Sequence, residues 1–133
     1  MKTKKRIIGD FGEDAAVKYL KRKHYKILDR NTVLGKLELD VVAKNKTDIV
    51  FVEVKTRSVE SVDGNFVYGR PSDAVNLEKR RNTVSAAYAY LKENPSRLNM
   101  RIDVIEVYLD KNAEKPTVLK IEHIENAVTR KNI

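Results

Sequence analysis

The sequence predicts an α/β domain, a mixed central sheet flanked by helices, in the order helix, three strands, helix, one or two strands. Three observations predict it. Apolar residues recur at helical spacing in residues 9–23 and 72–93, residues 36–43 alternate between apolar and polar, and residues 48–57 are densely β-branched. Sheet-forming and helix-forming stretches that interleave along one short chain pack as layers around one core.

In the first helix, expected from Gly9 to Lys23, Ala16, Val17 and Leu20 share a face, and Asp10, Glu13 and Asp14 stand near the start, where acids suit the helix dipole. Tyr25 to Val33 reads as the first strand. In Lys36 to Ala43, the second, Leu37, Leu39 and Val41 fall on one face and Glu38 and Asp40 on the other. Asp48 to Arg57 is the third. Ser58 to Pro71 carries two glycines and no period, and is expected to be a long mobile loop. The second helix follows, with Ser72 or Asp73 as its cap, Val84, Ala87, Tyr88 and Leu91 as its stripe, and Asn94-Pro95 as its end. Met100 to Leu109 and Pro116 to Ile121 complete the sheet.

The chain has 133 residues, which fits one domain over residues 1–133 with loose termini. It has no cysteine, so thiolate zinc sites and cysteine nucleophiles are excluded, and His24 and His123 are too far apart in sequence for a histidine cluster; both read as surface residues. A metal here would be a hard cation on carboxylates. The longest apolar runs, such as Ile49 to Val52, are too short to span a bilayer, and Lys2 to Arg6 lead into no secretory apolar segment, so a cytoplasmic protein without membrane contact is expected. The 27 Lys and Arg outnumber the 19 Asp and Glu, for a formal charge of +8. The excess clusters in Lys2–Arg6, Lys21–Lys26 and Lys79-Arg80-Arg81, a pattern that fits a polyanionic partner such as nucleic acid as well as a solvated face.

The acids on the second and third strands carry the chemistry. If these strands form a hairpin with its tip between Lys46 and Thr47, Asp40 lies opposite Glu53 and Glu38 opposite Lys55, with all four side chains on one face. Two carboxylates directly opposite each other destabilise a sheet. Mg²⁺ or Mn²⁺ gives such a pair a purpose, since these ions take one or two carboxylates plus water and phosphate oxygens, and Lys55 is within reach of the water or the phosphate. On the helical wheel Glu13 sits between Val17 and Leu20, facing the sheet. Alone it would be read as a helix cap or a lysine partner; beside the hairpin acids it is assigned to the site. Asp103 reads as structural, paired with Arg101 or a helix lysine.

These residues resemble a known family. Glu13, Asp40 and Glu53-Val54-Lys55 look like the PD-(D/E)XK nuclease superfamily, and more closely its YraN-like branch of small bacterial proteins. The likeness extends over Gly12-Glu13, Ala16, Tyr19-Leu20, Arg30-Asn31, Glu38-Leu39-Asp40-Val41-Val42-Ala43, Val50 to Lys55 with Arg57, Gly69, Ala74-Val75, Lys79, Tyr90-Leu91 and Arg101 to Ile105. Leu37 departs from the usual glycine and Val33 from a usual basic residue, which bears on local substrate contacts. The resemblance implies a restriction-endonuclease-like core, Asp40 and Glu53 as ligands of Mg²⁺ or Mn²⁺, Lys55 beside the attacking water or the phosphate, and Glu13 supporting a second metal or a water. Metal-dependent hydrolysis of phosphodiester bonds, with DNA as the expected substrate, follows from it. Lys79, Arg80, Arg81 and Arg57 are the residues expected to hold nucleic acid. Two other readings stay open: a binding module with a weak or vestigial metal site, and a role in RNA processing.

Overall fold

The computed structural model describes residues 2–63, 66–68 and 77–129. The first helix, α1 (Lys4–Arg22), starts well before its expected position, because the Thr3 hydroxyl caps it by accepting from the Arg6 amide at 3.2 Å. Asp10, Glu13 and Asp14 therefore sit in its interior, and the basic run occupies its first turn. It ends in a Schellman motif: His24, at φ 69°, and Tyr25 donate their amides to the carbonyls of Lys21 and Leu20, each at 3.0 Å.

Strands β1 (Lys26–Leu34), β2 (Leu37–Lys44) and β3 (Asp48–Val59) then form an antiparallel meander. Gly35, at φ 64°, takes the left-handed position of the two-residue turn between β1 and β2. Asn45 closes the next turn, its Oδ1 accepting from the amides of Thr47 at 3.0 Å and Asp48 at 2.8 Å. The ladder there runs from Lys44–Ile49 to Val41–Val52, the register expected from a tip at Lys46 and Thr47. The stretch expected to be one long loop carries the end of β3, with Val59 buried, and a two-stranded sheet of β4 (Ser61–Asp63) and β5 (Phe66–Tyr68), in which Val62 pairs with Val67. Short strands of this kind show too few alternations to declare a period. The expected caps Ser72 and Asp73 lie outside the described residues.

Helix α2 (Leu77–Glu93) stops beside Asn94, as expected. Its buried residues are Thr83, Ala86, Ala87 and Tyr90; Tyr88, expected in the stripe, is exposed. After it, β6 (Asn99–Asp110) pairs in parallel with β3, and β7 (Val118–Ile124) pairs antiparallel with β6, giving the sheet order β1-β2-β3-β6-β7. Alternation on β3 divides the core. Val50 and Val52 pack with Ala16, Val17 and Leu20 of α1, while Ile49 and Phe51 pack with Ala86, Ala87 and Tyr90 of α2. The chain is thus a mixed sheet between two helices.

Candidate active site

Gly12 sets the approach of α1 to the sheet: a Cβ there would lie 1.9 Å from the Thr56 hydroxyl of β3. The close crossing buries the next residue, Glu13, against the sheet. The expected facing of Glu13 holds, but its partner is neither a lysine nor the helix end. Glu13 Oε1 accepts from Arg30 Nε at 3.2 Å, Arg30 Nη2 at 3.1 Å and Asn31 Nδ2 at 2.9 Å, and Arg30 also holds the exposed Asp14 at 2.6 Å.

The expected common face of Glu38, Asp40, Glu53 and Lys55 is corrected by a local change of phase in β2. Val41 and Ala43 pack on the α1 side and Val42 on the α2 side, yet Leu39 also packs on the α2 side. The slip falls at Asp40. In the ladder with β1, Asn31 lies between the Arg30–Val41 and Thr32–Leu39 pairs, and it is left-handed, at φ 49°. A strand irregularity of this kind re-aims side chains. Glu38 therefore lines a cleft on the α1 side, whereas Glu53 and Lys55 alternate with Val52 and Val54, which pack toward α1, and so emerge on the α2 side.

Asp40 joins the two sides. Pairing of β2 with β3 stops at Val41–Val52, and the Val54 amide donates instead to Asp40 Oδ2 at 2.9 Å. The carboxylate thereby takes the place of a backbone acceptor at the fork between the strands. Its pKa is raised to about 6, first by burial and then by the charge of Glu53, with Glu13 adding; the Val54 amide and Lys79 act in the opposite sense. Glu53 is itself buried, and its Oε1 lies 3.3 Å from Lys55 Nζ and 3.3 Å from Lys79 Nζ. Lys79, expected with Arg80 and Arg81 as a contact for nucleic acid, lies beside Glu53. Arg81 is exposed and Arg80 half-buried.

The cleft, of about 970 Å³, runs from Asp40 and Glu13 to the first turns of α1, where Lys4, Lys5 and Arg6 line it together with Arg57 of β3. Of these cations only Arg57 is among the contacts expected from the sequence; Lys4, Lys5 and Arg6 belong to the Lys2–Arg6 charge cluster, whose place beside the acids follows from the early start of α1. Neither Lys4 nor Lys5 makes an ion pair among the described residues. Asp10, in contrast, is taken by Lys2 at 2.7 Å.

The donor set suits a hard divalent cation. The half-buried Asp40 and the buried Glu53 offer oxygen, and a dication would take both carboxylates and complete its shell with water or other oxygen ligands. Among the described residues no three acidic or histidine side chains converge as a ready-made cage.

His123 corrects the expectation of a surface residue. Its side chain is 8% exposed, and its Nε2 lies 2.6 Å from Oδ2 of the fully buried Asp103. Asp103 also accepts from Arg101, which donates to it at 3.0 Å through Nε, and from the Asn126 amide at 3.0 Å. Tyr19 lies 3.0 Å from His123 Nδ1, and Arg101 reaches Asp48 at 3.1 Å and the Tyr25 hydroxyl. Burial pushes the Asp103 carboxyl up, but its donors outweigh it and hold it below the ordinary value.

Comparison with known proteins finds relatives of this sequence. The model of the uncharacterised protein family UPF0102 matches residues 12–107. A UPF0102 protein of Caldanaerobacter subterraneus is 43% identical over 127 residues, covering 95% of this chain and 98% of its own. One of Acetivibrio thermocellus is 41% identical over 128 residues, covering 95% and 94%. Another, of Alkaliphilus oremlandii, is 46% identical over 125 residues, covering 90% and 96%. Among the described residues no helix is long and apolar enough to cross a membrane.

Proposed function

Since the chain belongs to the UPF0102 family, and the resemblance of its motifs reaches the PD-(D/E)XK nucleases, we propose that it hydrolyses phosphodiester bonds in nucleic acid, DNA first, with Mg²⁺ or Mn²⁺. The observation that carries this reading is the pair at the strand fork. Asp40 is half-buried beside the buried Glu53 and, among the described residues, accepts from one backbone amide; its charge is disfavoured there despite Lys79, and a divalent cation would relieve it.

Asp40 and Glu53 are the residues that would hold the ion. Bound there, it would polarise the phosphate and make a coordinated water more acidic. The chain's own groups do the rest. Lys55, already beside Glu53, stands where an ammonium can orient water or meet charge that develops on the phosphate. Glu13 fixes Arg30 and Asn31, and so the irregular rung that aims Asp40. The cationic wall of the cleft, Lys4, Lys5, Arg6 and Arg57, gives a polyanion a path to Asp40.

The test incubates the purified protein with linear, flapped, single-stranded and four-way DNA and with RNA, in Mn²⁺ or in EDTA. Metal-dependent cleavage is expected, and Glu53→Gln or Lys55→Ala should lower it by about 100-fold or more while binding stays nearly intact. Cleavage at the wild-type rate by either variant would remove these residues from the reaction. Binding without cleavage by the wild type would favour the binding module.

A further inference from the structure

One carboxylate oxygen in the site is shared by two lysines from different elements. Lys55 reaches Glu53 Oε1 along its own strand, and Lys79 reaches the same oxygen from the first turns of α2, each at 3.3 Å. Lys79 also lowers the cost of the Asp40 charge. The two ammonium groups balance the charges of Asp40 and Glu53, yet both sit on one oxygen of Glu53. They leave little room for a dication on that oxygen unless one of them moves.

We propose that Lys79 is a second lysine of the reaction centre. It competes with the divalent cation for Glu53 and, once displaced, remains beside it to hold a non-bridging phosphate oxygen. The proposal rests on the hydrolase reading above and adds to it a group from α2. Lys79 is the one suited to move. Lys55 is tied to Glu53 by its position two residues along the same strand, whereas the Lys79 side chain is 44% exposed and rises from a helix that approaches the sheet from outside. On moving, the ammonium keeps its proton and exchanges one anionic oxygen for another, so no bond is made or broken. A flexible four-carbon stem with three donors suits that exchange. The arrangement also gives an order of events. The acid pair is shielded by lysine before the ion arrives, and a positive charge is in place for the phosphate afterwards.

The test titrates Mn²⁺ into the full-length wild type, Lys79→Met and Lys79→Arg by calorimetry, and measures single-turnover cleavage of a labelled oligonucleotide in saturating Mn²⁺. Lys79→Met keeps the length of the side chain on an exposed helical position, so melting in EDTA serves as the control for folding. Removing a competing charge within contact distance should tighten Mn²⁺ binding about tenfold. Cleavage should nonetheless fall about tenfold or more, because the phosphate loses a cation. Lys79→Arg should stay within about threefold of wild type in Mn²⁺ affinity, since the charge remains. A gain in ion affinity joined to a loss of rate is a result that a merely structural lysine does not give. Unchanged or weaker Mn²⁺ binding by Lys79→Met, or undiminished cleavage, overturns the proposal alone. A wild type that binds no Mn²⁺ overturns both this and the hydrolase reading.

Discussion

Asp40, half-buried, and Asp103, fully buried, are aspartates on two strands separated only by β3, and desolvation pushes the pKa of both upward. Their surroundings then part. Asp103 is surrounded by donors from Arg101, His123 and the Asn126 amide and ends below the ordinary carboxylate value. Asp40 has the Val54 amide and the neighbouring charge of Glu53, and ends near 6. Burial alone therefore does not decide where a carboxylate titrates. What distinguishes the two aspartates is whether the protein completes the shell of donors itself or leaves it for a ligand.

The same substitution should have opposite consequences at the two positions. Asp103→Asn removes the charge that Arg101 and His123 were built around, and should cost about 3 kcal/mol or more in urea unfolding. A cost under about 1 kcal/mol would mean that the Asp103 cluster is dispensable and the contrast is false.

The pH dependence sharpens the contrast further. Asp40 has its folded pKa raised from the ordinary value of 3.8 to about 6, so the folded state binds more protons between those values. Its contribution is present at low pH and is lost as pH rises through about 6, a span worth roughly 3 kcal/mol at most. Asp103 is lowered, so its contribution is present above the ordinary carboxylate range and is lost as pH falls. Unfolding followed from pH 4 to 7.5 should show a downward slope that disappears in Asp40→Asn. In Asp103→Asn, that slope should remain while acid sensitivity below pH 4 is reduced.

Binding of nucleic acid separates the two ends of α1. Lys4 and Lys5 line the cleft that leads to Asp40, while Lys21 and Lys23 lie at the other end, Lys23 near Tyr19 and the His123 cluster. Lys4→Ala with Lys5→Ala should flatten the log-log salt dependence of duplex DNA affinity by about one to two units, at roughly 0.9 for each phosphate contact. Lys21→Ala with Lys23→Ala should leave it unchanged, and the Arg80→Ala with Arg81→Ala pair shows whether α2 shares the surface. Equal effects from both ends of α1 would return the charge to a general basic face.

Much of this was legible in the sequence, and what was not has identifiable causes. The register of the β2–β3 hairpin follows from a polar turn between two alternating strands, and Glu13 follows from a helical wheel; both are local patterns. The slip of phase at Asp40 is invisible because no glycine or proline marks it, and its partner irregularity lies on another strand, at Asn31. His123 read as a surface residue because its partners Asp103 and Tyr19 are remote in sequence and met only by folding. The early start of α1 was hidden by a lysine-rich turn without an apolar period, for which Thr3 was the one cue. Exposed Tyr88 and buried Tyr90 are the same residue type two positions apart, and only the angle at which α2 meets the sheet separates them.

The most direct test of the central claim is a set of thermal melts of wild type and Asp40→Asn at pH 7, each in EDTA and in millimolar Mn²⁺. Asparagine can still accept from the Val54 amide while removing a charge that burial disfavours. The variant in EDTA should therefore be the more stable by about 1 kcal/mol, a few degrees in Tm for a domain of this size. Added Mn²⁺ should raise the Tm of wild type and raise that of the variant much less, because an ion that binds the native state stabilises it according to its saturation. A variant less stable than wild type in EDTA, or stabilised by Mn²⁺ to the same extent, would contradict the account: Asp40 would then be a satisfied structural acid like Asp103.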